Sequence, residues 1–295
     1  MLELRRIVCP VDFSEFSVSA YRYALSLARH YRAKLFVQHI VELGHHPSVY
    51  YAPSADSFDE FCRGLSEKGK EQLKAFVKQY THEEIEPECV VQQGETSDAI
   101  LSFADAQKAD MIVMGTHGRR GFDRLMLGSA TERVLRKASC PVLVVRKPAH
   151  DFAGPGHERD PVRLGRILFC TDFSEHSRRA LDPALSLTEE YNAELTLLHV
   201  LEDIPGPSET AEARATAMER LEKLISPEVR KTLRVKTEAR IGKPYQEIIR
   251  LALDTQTDMV IMAVRGRGAL DLAVFGSTTY RVIQLGPCPV LAVQV

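Results

Sequence analysis

At 295 residues the chain has the length of two ordinary domains. Its 38 basic and 40 acidic side chains nearly cancel, so no overall field draws it to nucleic acid or to an anionic membrane. The apolar runs are strand-length and flanked by charge, and Met1-Leu2-Glu3-Leu4-Arg5-Arg6 lacks the apolar core of a signal peptide, so a cytoplasmic protein with no membrane span is expected.

In chain order, an apolar run from Arg6 to Val11 predicts a first strand, closed by Asp12. Ser14-Glu15 then opens a helical pattern through Ala20, Leu25, Leu27 and Ala28, with Ser14 and Ser17 placed as helix-start caps rather than nucleophiles. Leu35 to Ile40 reads as a second strand. A Pro-containing loop over 44–57 leads into an amphipathic helix from Phe58 to Gln79. Val90-Val91 marks a third strand, Ala99 to Ala106 a helix, Met111 to Met114 a fourth strand, Ser129 to Ala138 a helix and Pro141 to Val145 a fifth strand. Helices alternating with apolar strands predict an α/β fold, a parallel sheet covered on both faces.

The same order then repeats. Asp12-Phe13-Ser14-Glu15 returns as Asp172-Phe173-Ser174-Glu175, and residues 4–40 match 164–200 at 17 of 37 positions. Residues 94–146 match 242–294 at 19 of 53, with the offset reduced from 160 to 148. The first copy therefore carries 12 extra residues, in the 44–57 loop or the helix after it. These observations set a first domain over 1–147, a linker over 148–162 rich in Pro, Gly, His and charge, and a second domain over 163–295. Six cysteines (9, 62, 89, 140, 170 and 288) show no C-x-x-C and no cluster, and read as reduced, buried small hydrophobes. No ligand spacing supports a metal site, and the recurring His39 and His199 read as hydrogen-bonded structural residues.

In open parallel sheets ligands bind beyond the carboxyl ends of the strands, where the strand order reverses. Asp12, Gly115-x-x-Gly118 and Gly128-Ser129 all fall there. Gly115 and Gly118 permit positive φ and close approach of backbone to a ligand. Gly128-Ser129-Ala130 offers amide N–H groups at a helix start, which favours an anion. Arg119, Arg120 and Arg124 add charge for a triphosphate, and His117 lies inside the glycine turn. A second explanation stands beside this one: Ser129 with Glu132 forms an S-x-x-E capping box, and glycines after a strand are often only turns. No Walker A string or complete G-x-G-x-x-G is present.

Asp12 after the first strand, then Gly115-x-x-Gly118, nine residues, Gly128-Ser129 and Cys140-Pro141-Val142-Leu143-Val144-Val145, resembles the universal stress protein family over nearly the whole chain, as two tandem copies. The resemblance implies two open five-stranded parallel sheets of the adenine-nucleotide alpha-hydrolase-like type, and ATP, with or without Mg, as the ligand of members carrying this motif. It implies that Pro10 and Asp12 lie beside the nucleoside, that Ile40 meets adenine through its backbone, and that Met114 and Gly115 line the nucleoside. Gly118, Gly128, Ser129 and Ala130 then hold phosphates. The second copy keeps Asp172, Val200, Met262, Gly266, Gly276 and Ser277, but has Ala263 for the first glycine and Cys170 for the proline. If that glycine needs positive φ, alanine there weakens the second site.

The function expected is an ATP-binding stress-response regulator or partner switch, the nucleotide held mainly by the first copy. The alternatives are a nucleotide-independent interaction module, which Ala263 favours for the second copy, and a slow ATPase, for which no catalytic residue is evident. The family's habit of dimerising through the last strand implies an internal pseudo-dimer, Val142–Val145 against Val290–Val293. A homodimer of the whole chain through the insertion at Tyr50-Tyr51 and an unidentified protein partner complete the expectations.

Overall fold

A computed structural model describes residues 3–43, 55–81, 85–116, 127–146, 163–202, 207–266 and 276–294. The first repeat begins with β1 (Arg6–Pro10), α1 (Glu15–Tyr31), β2 (Lys34–Val41) and α2 (Ala55–Tyr80). It continues through β3 (Glu88–Gln93), α3 (Thr96–Gln107), β4 (Met111–Gly115), α4 (Ser129–Lys137) and β5 (Val142–Val145). The second repeat runs through β6 (Arg166–Cys170), α5 (Glu175–Arg179), α6 (Leu181–Glu190), β7 (Glu194–Leu201) and α7 (Pro207–Lys223). It ends with α8 (Pro227–Thr232), β8 (Arg234–Ile241), α9 (Pro244–Asp254), β9 (Met259–Ala263), α10 (Ser277–Leu285) and β10 (Val290–Val293). Every strand and helix expected of the first repeat is present.

Contacts gather the chain into two units. One is built on Leu4–Cys140; the other is built on the second repeat and also takes in β5. In the first unit the strands lie in the order β3-β2-β1-β4, all parallel. The chain moves outward from β1 through β2 to β3 and returns on the far side of β1, so the order reverses between β1 and β4, where Ile7 lies opposite Met111. In the second unit the order is β5-β10-β9-β6-β7-β8. The reversal there falls between β6 and β9, with Ile167 opposite Met259. β5 pairs antiparallel with β10, Val144 opposite Val290 and Val142 opposite Ala292. All residues of these two strands are buried, and the pairing removes two apolar edges that would otherwise invite association.

The central strands are buried along their length because helices cover them. Ile7, Val8, Cys9, Ile112 and Val113 are fully inside the first unit; Leu168, Phe169 and Ile261 take the places of Val8, Cys9 and Val113 in the second. A clamp not apparent from the sequence fixes the start of each first strand. One oxygen of Asp110 accepts from the amides of Arg5 and Arg6, both at 2.8 Å. Asp258 does the same for Gly165 and Arg166, also at 2.8 Å.

The two repeats differ in the helix after the first strand. α1 is continuous, whereas its counterpart is split at Ala180 into α5 and α6. Pro183 accounts for the split: it has no N–H to give to the carbonyl of Arg179, and its ring crowds that carbonyl.

Five cysteines are buried, and Cys89 is exposed. The expectation that all six are buried fails at Cys89 because β3 is the last strand of its sheet and one of its sides meets solvent. Burial pushes the thiols of Cys9 and Cys170 up, and those of Cys140 and Cys288 up to about 12. Since the other five thiols are buried, the native protein is expected to react with an aromatic disulfide reagent at Cys89 alone, and with all six thiols after denaturation. Two or more rapid equivalents before denaturation would contradict this burial pattern.

Candidate functional site

Each first strand ends in a turn with a defined cause. One oxygen of Asp12, Oδ1, accepts from the Ser14 amide at 3.1 Å and the Ser14 hydroxyl at 2.6 Å. Ser14 in turn caps α1, its Oγ accepting from the Ser17 amide at 3.3 Å. Between them Phe13 adopts the left-handed region at φ 66°, uncommon for a bulky residue. Its ring is held against His39, centroids 4.4 Å apart, and His39 Nδ1 is hydrogen-bonded to the Val11 carbonyl at 2.9 Å. The second repeat reproduces each part. Asp172 Oδ1 accepts from Ser174 at 2.9 and 2.6 Å, Phe173 has φ 61°, and His199 bonds the Thr171 carbonyl at 2.8 Å. A carbonyl can only accept, so both histidines carry their proton on Nδ1. They are structural residues, as expected from their recurrence at a strand end.

The end of β4 and the start of α4 are tied together. The Gly128 amide donates to the Thr116 carbonyl at 2.9 Å, and the Thr131 hydroxyl donates to the Gly115 carbonyl at 3.0 Å. The second repeat matches with Gly276 to Val264 at 3.2 Å and Thr279 to Ala263 at 3.0 Å. The threonine clasp was missed in the sequence, although Gly-Ser-x-Thr recurs in both copies. It sets the start of the helix against the strand end that borders the reversal point. A further tie joins this helix to its neighbour: Glu95 caps α3 and accepts from Arg133 of α4 at 3.0 Å. The Ser97 hydroxyl, assisted by the Asp98 amide and Arg133, holds the Glu95 carboxyl below its ordinary range. In the second repeat Arg281 lies over the Tyr245 ring at 4.8 Å instead.

The capping-box explanation of Ser129 does not hold. Gly128 is the cap residue, with no side-chain cap bond, and Ser129 is the first helical residue, exposed. Glu132 pairs forward with Arg136 at 2.8 Å. The first-turn amides of Ser129 and Ala130 therefore donate to no capping side chain, as an anion site requires. Gly276 and Ser277 stand in the same relation to α10.

The reason for Gly115 also changes. Its φ is not in the left-handed region; among described glycines only Gly94 and Gly242 are. A Cβ at 115 would lie 2.9 Å from the backbone carbonyl of Phe16, so glycine is required by the close approach of α1. The penalty assigned to Ala263 on the ground of positive φ therefore does not apply. Gly266 is equally specific: a Cβ there would lie 2.6 Å from Oδ2 of Asp172. The backbone of the second glycine turn thus packs on the aspartate that ends β6.

Of the residues singled out in the first repeat, Pro10 closes β1 opposite Gln38, Asp12 follows it, and Met114 and Gly115 end β4. Gly128, Ser129 and Ala130 open α4, and Ile40, half-buried, lies near the end of β2 on the other side of β1. All are at the carboxyl ends of the strands. In the second repeat Asp172, Val200, Met262, Gly276 and Ser277 occupy the matching places, and Gly266 follows β9. Gly118, His117, Arg119, Arg120, Arg124, the 148–162 linker and Tyr50-Tyr51 lie outside the described residues. Among the described residues no cluster of His, Cys, Asp or Glu converges as a metal site, and no helix is long and apolar enough to cross a membrane.

Comparison with known proteins agrees with this architecture. The model of the universal stress protein family matches twice, over residues 3–146 and 164–294. A universal stress protein of Mycolicibacterium smegmatis is 27% identical over 98% of this chain and 96% of its own. One from Methanocaldococcus jannaschii is 36% identical over 49% of this chain and 83% of its own. The crystal structure of a universal stress protein from Archaeoglobus fulgidus superposes with a TM-score of 0.72 at 22% identity, covering 98% of this chain and 96% of that one, which is a likeness of fold. The chain belongs to the universal stress protein family, whose domain it contains as two tandem copies.

Proposed function

We propose that the first repeat binds an adenine nucleotide, ATP, and that its occupancy switches the protein between partners in a stress response. The observation that carries this reading is the start of α4. It has no side-chain cap, its first residue Ser129 is exposed, and Thr131 clasps it to the end of β4 at the reversal point of the sheet. A phosphate chain there meets amide donors and the positive end of the helix dipole. Asp12, fixed by Ser14, gives a carboxylate of set orientation for a ribose hydroxyl or the adenine amine. A magnesium ion would be carried by the phosphates, since Mg²⁺ usually keeps several waters and needs few protein ligands.

The second repeat is the weaker site in this reading, for a reason different from backbone strain. Ala263 places a methyl at the buried end of β9 where the first repeat has a glycine. That observation favours an interaction role for the second copy. Six unpaired thiols, five of them buried, suit a reducing cytoplasm. Titration calorimetry with ATP is expected to show binding to the wild type and a large loss in Asp12→Ala. No heat from the wild type would refute the proposal.

A further inference from the structure

The second repeat has a cleft of about 370 Å³ on the side of β7 that carries His199 and Leu201, away from Val200. Its floor is Phe173, His199 and Leu201; its wall is one face of α7, where Ala213, Thr216 and Ala217 present small side chains. Glu212 and Arg220 stand at its two ends, two helical turns or about 12 Å apart.

The first repeat closes the same place. At an offset of 148, Leu65 stands for Ala213, Gly69 for Ala217 and Gln72 for Arg220. A Cβ at Gly69 would lie 3.3 to 3.4 Å from the side chains of Val91, His39 and Val41, so α2 rests directly on the sheet there. The ring of Phe13 is met by Phe76, centroids 5.6 Å apart. In the second repeat the ring of Phe173 is met instead by the guanidinium of Arg220, 4.0 Å from its centroid. Packing in one copy has become a polar-ended cleft in the other.

Arg220 is exposed, and among the described residues it has no carboxylate partner; its recorded contact is the ring. Stacking fixes the plane of the guanidinium and leaves its edge, with donors in a fork, to meet an oxyanion. Among the described residues Arg220 is the one cation lining the cleft, and the wall between it and Glu212 carries the small side chains of Ala213, Thr216 and Ala217. We infer that this cleft is a second ligand site, separate from the nucleotide site, for a small monoanionic amphipath: a carboxylate head at Arg220 and a short apolar body along Ala213, Ala217 and Leu201. Its volume is that of small-molecule sites.

The test is a titration of the full chain with octanoate, and with octanol as its uncharged counterpart, followed through the methyl resonances of Ala213, Ala217 and Leu201. Octanoate is expected to shift these resonances saturably at millimolar concentration, to bind at least tenfold more tightly than octanol, and to do so equally in the presence of saturating MgATP. Arg220→Gln is expected to weaken octanoate about tenfold, as loss of one charge-assisted pair does, and leave octanol unchanged. Ala213→Leu, which puts in the cleft the larger residue the first repeat has at that position, is expected to abolish both. Each spectrum also reports whether its variant is folded. Absence of saturable shifts, equal octanoate binding in Arg220→Gln, or competition by MgATP would each overturn the inference, and none of these depends on whether the first repeat binds ATP.

Discussion

Ser129→Glu is expected to weaken ATP binding by at least tenfold while leaving thermal stability unchanged or slightly raised. Two effects of one carboxylate are set against each other. At the first position of α4 a negative charge complements the helix dipole, a gain of about 0.3–1 kcal/mol. Toward a phosphate about 4 Å away the same charge is repulsive by roughly 1 to 4 kcal/mol, depending on how far solvent screens it. Ser129 is exposed and makes no cap bond, so nothing in the fold is lost with its hydroxyl. A purely structural Ser129 predicts no change in nucleotide affinity, so calorimetry and a melting curve on the same sample separate the readings. Unchanged affinity would remove the helix start from the site.

Gly115→Ala is expected to destabilise the protein by about 1–3 kcal/mol, the usual cost of forcing a methyl into a filled space. The added Cβ would lie 2.9 Å from the backbone of Phe16, and backbone at the start of a capped helix cannot move aside as a flexible side chain would. α1 would have to shift together with the Asp12–Ser14 turn that caps it, so nucleotide affinity is expected to fall as well. The reverse change in the second repeat, Ala263→Gly, is expected to alter stability by much less, because there the methyl is already accommodated in the buried end of β9 and only it is removed. Chemical denaturation of both variants checks the contrast. Equal effects would mean that the close approach at Gly115 is not what requires glycine.

The strand and helix order was legible because burial on both faces leaves strands apolar throughout, and the repeat confirmed each assignment twice. The reversal between β1 and β4 followed from that order. What escaped reading were contacts fixed by three-dimensional approach. Gly115 looked like a positive-φ glycine, since sequence cannot distinguish a need for φ from a need for space. Ser129 looked like a cap because Ser-x-x-Glu fits the capping pattern, but the chain enters α4 one residue earlier, through Gly128. Thr131 and Thr279 were repeated in plain view without a role until their hydroxyls were seen on the carbonyls of Gly115 and Ala263. Asp110 and Asp258 likewise recur before Met without announcing that they hold the first strand. Pro183 was a readable helix breaker, and its effect is confined to the second copy. Cys89 sits on an edge strand, a fact of strand order that residue type does not carry.

The unequal repeats make the site assignment quantitative. Native mass spectrometry of the full chain with saturating MgATP, repeated on Ser129→Glu and on Ser277→Glu, counts nucleotides per chain. One nucleotide is expected on the wild type, one on Ser277→Glu and none on Ser129→Glu. Two nucleotides of equal affinity, or a single nucleotide lost in Ser277→Glu and kept in Ser129→Glu, would contradict it.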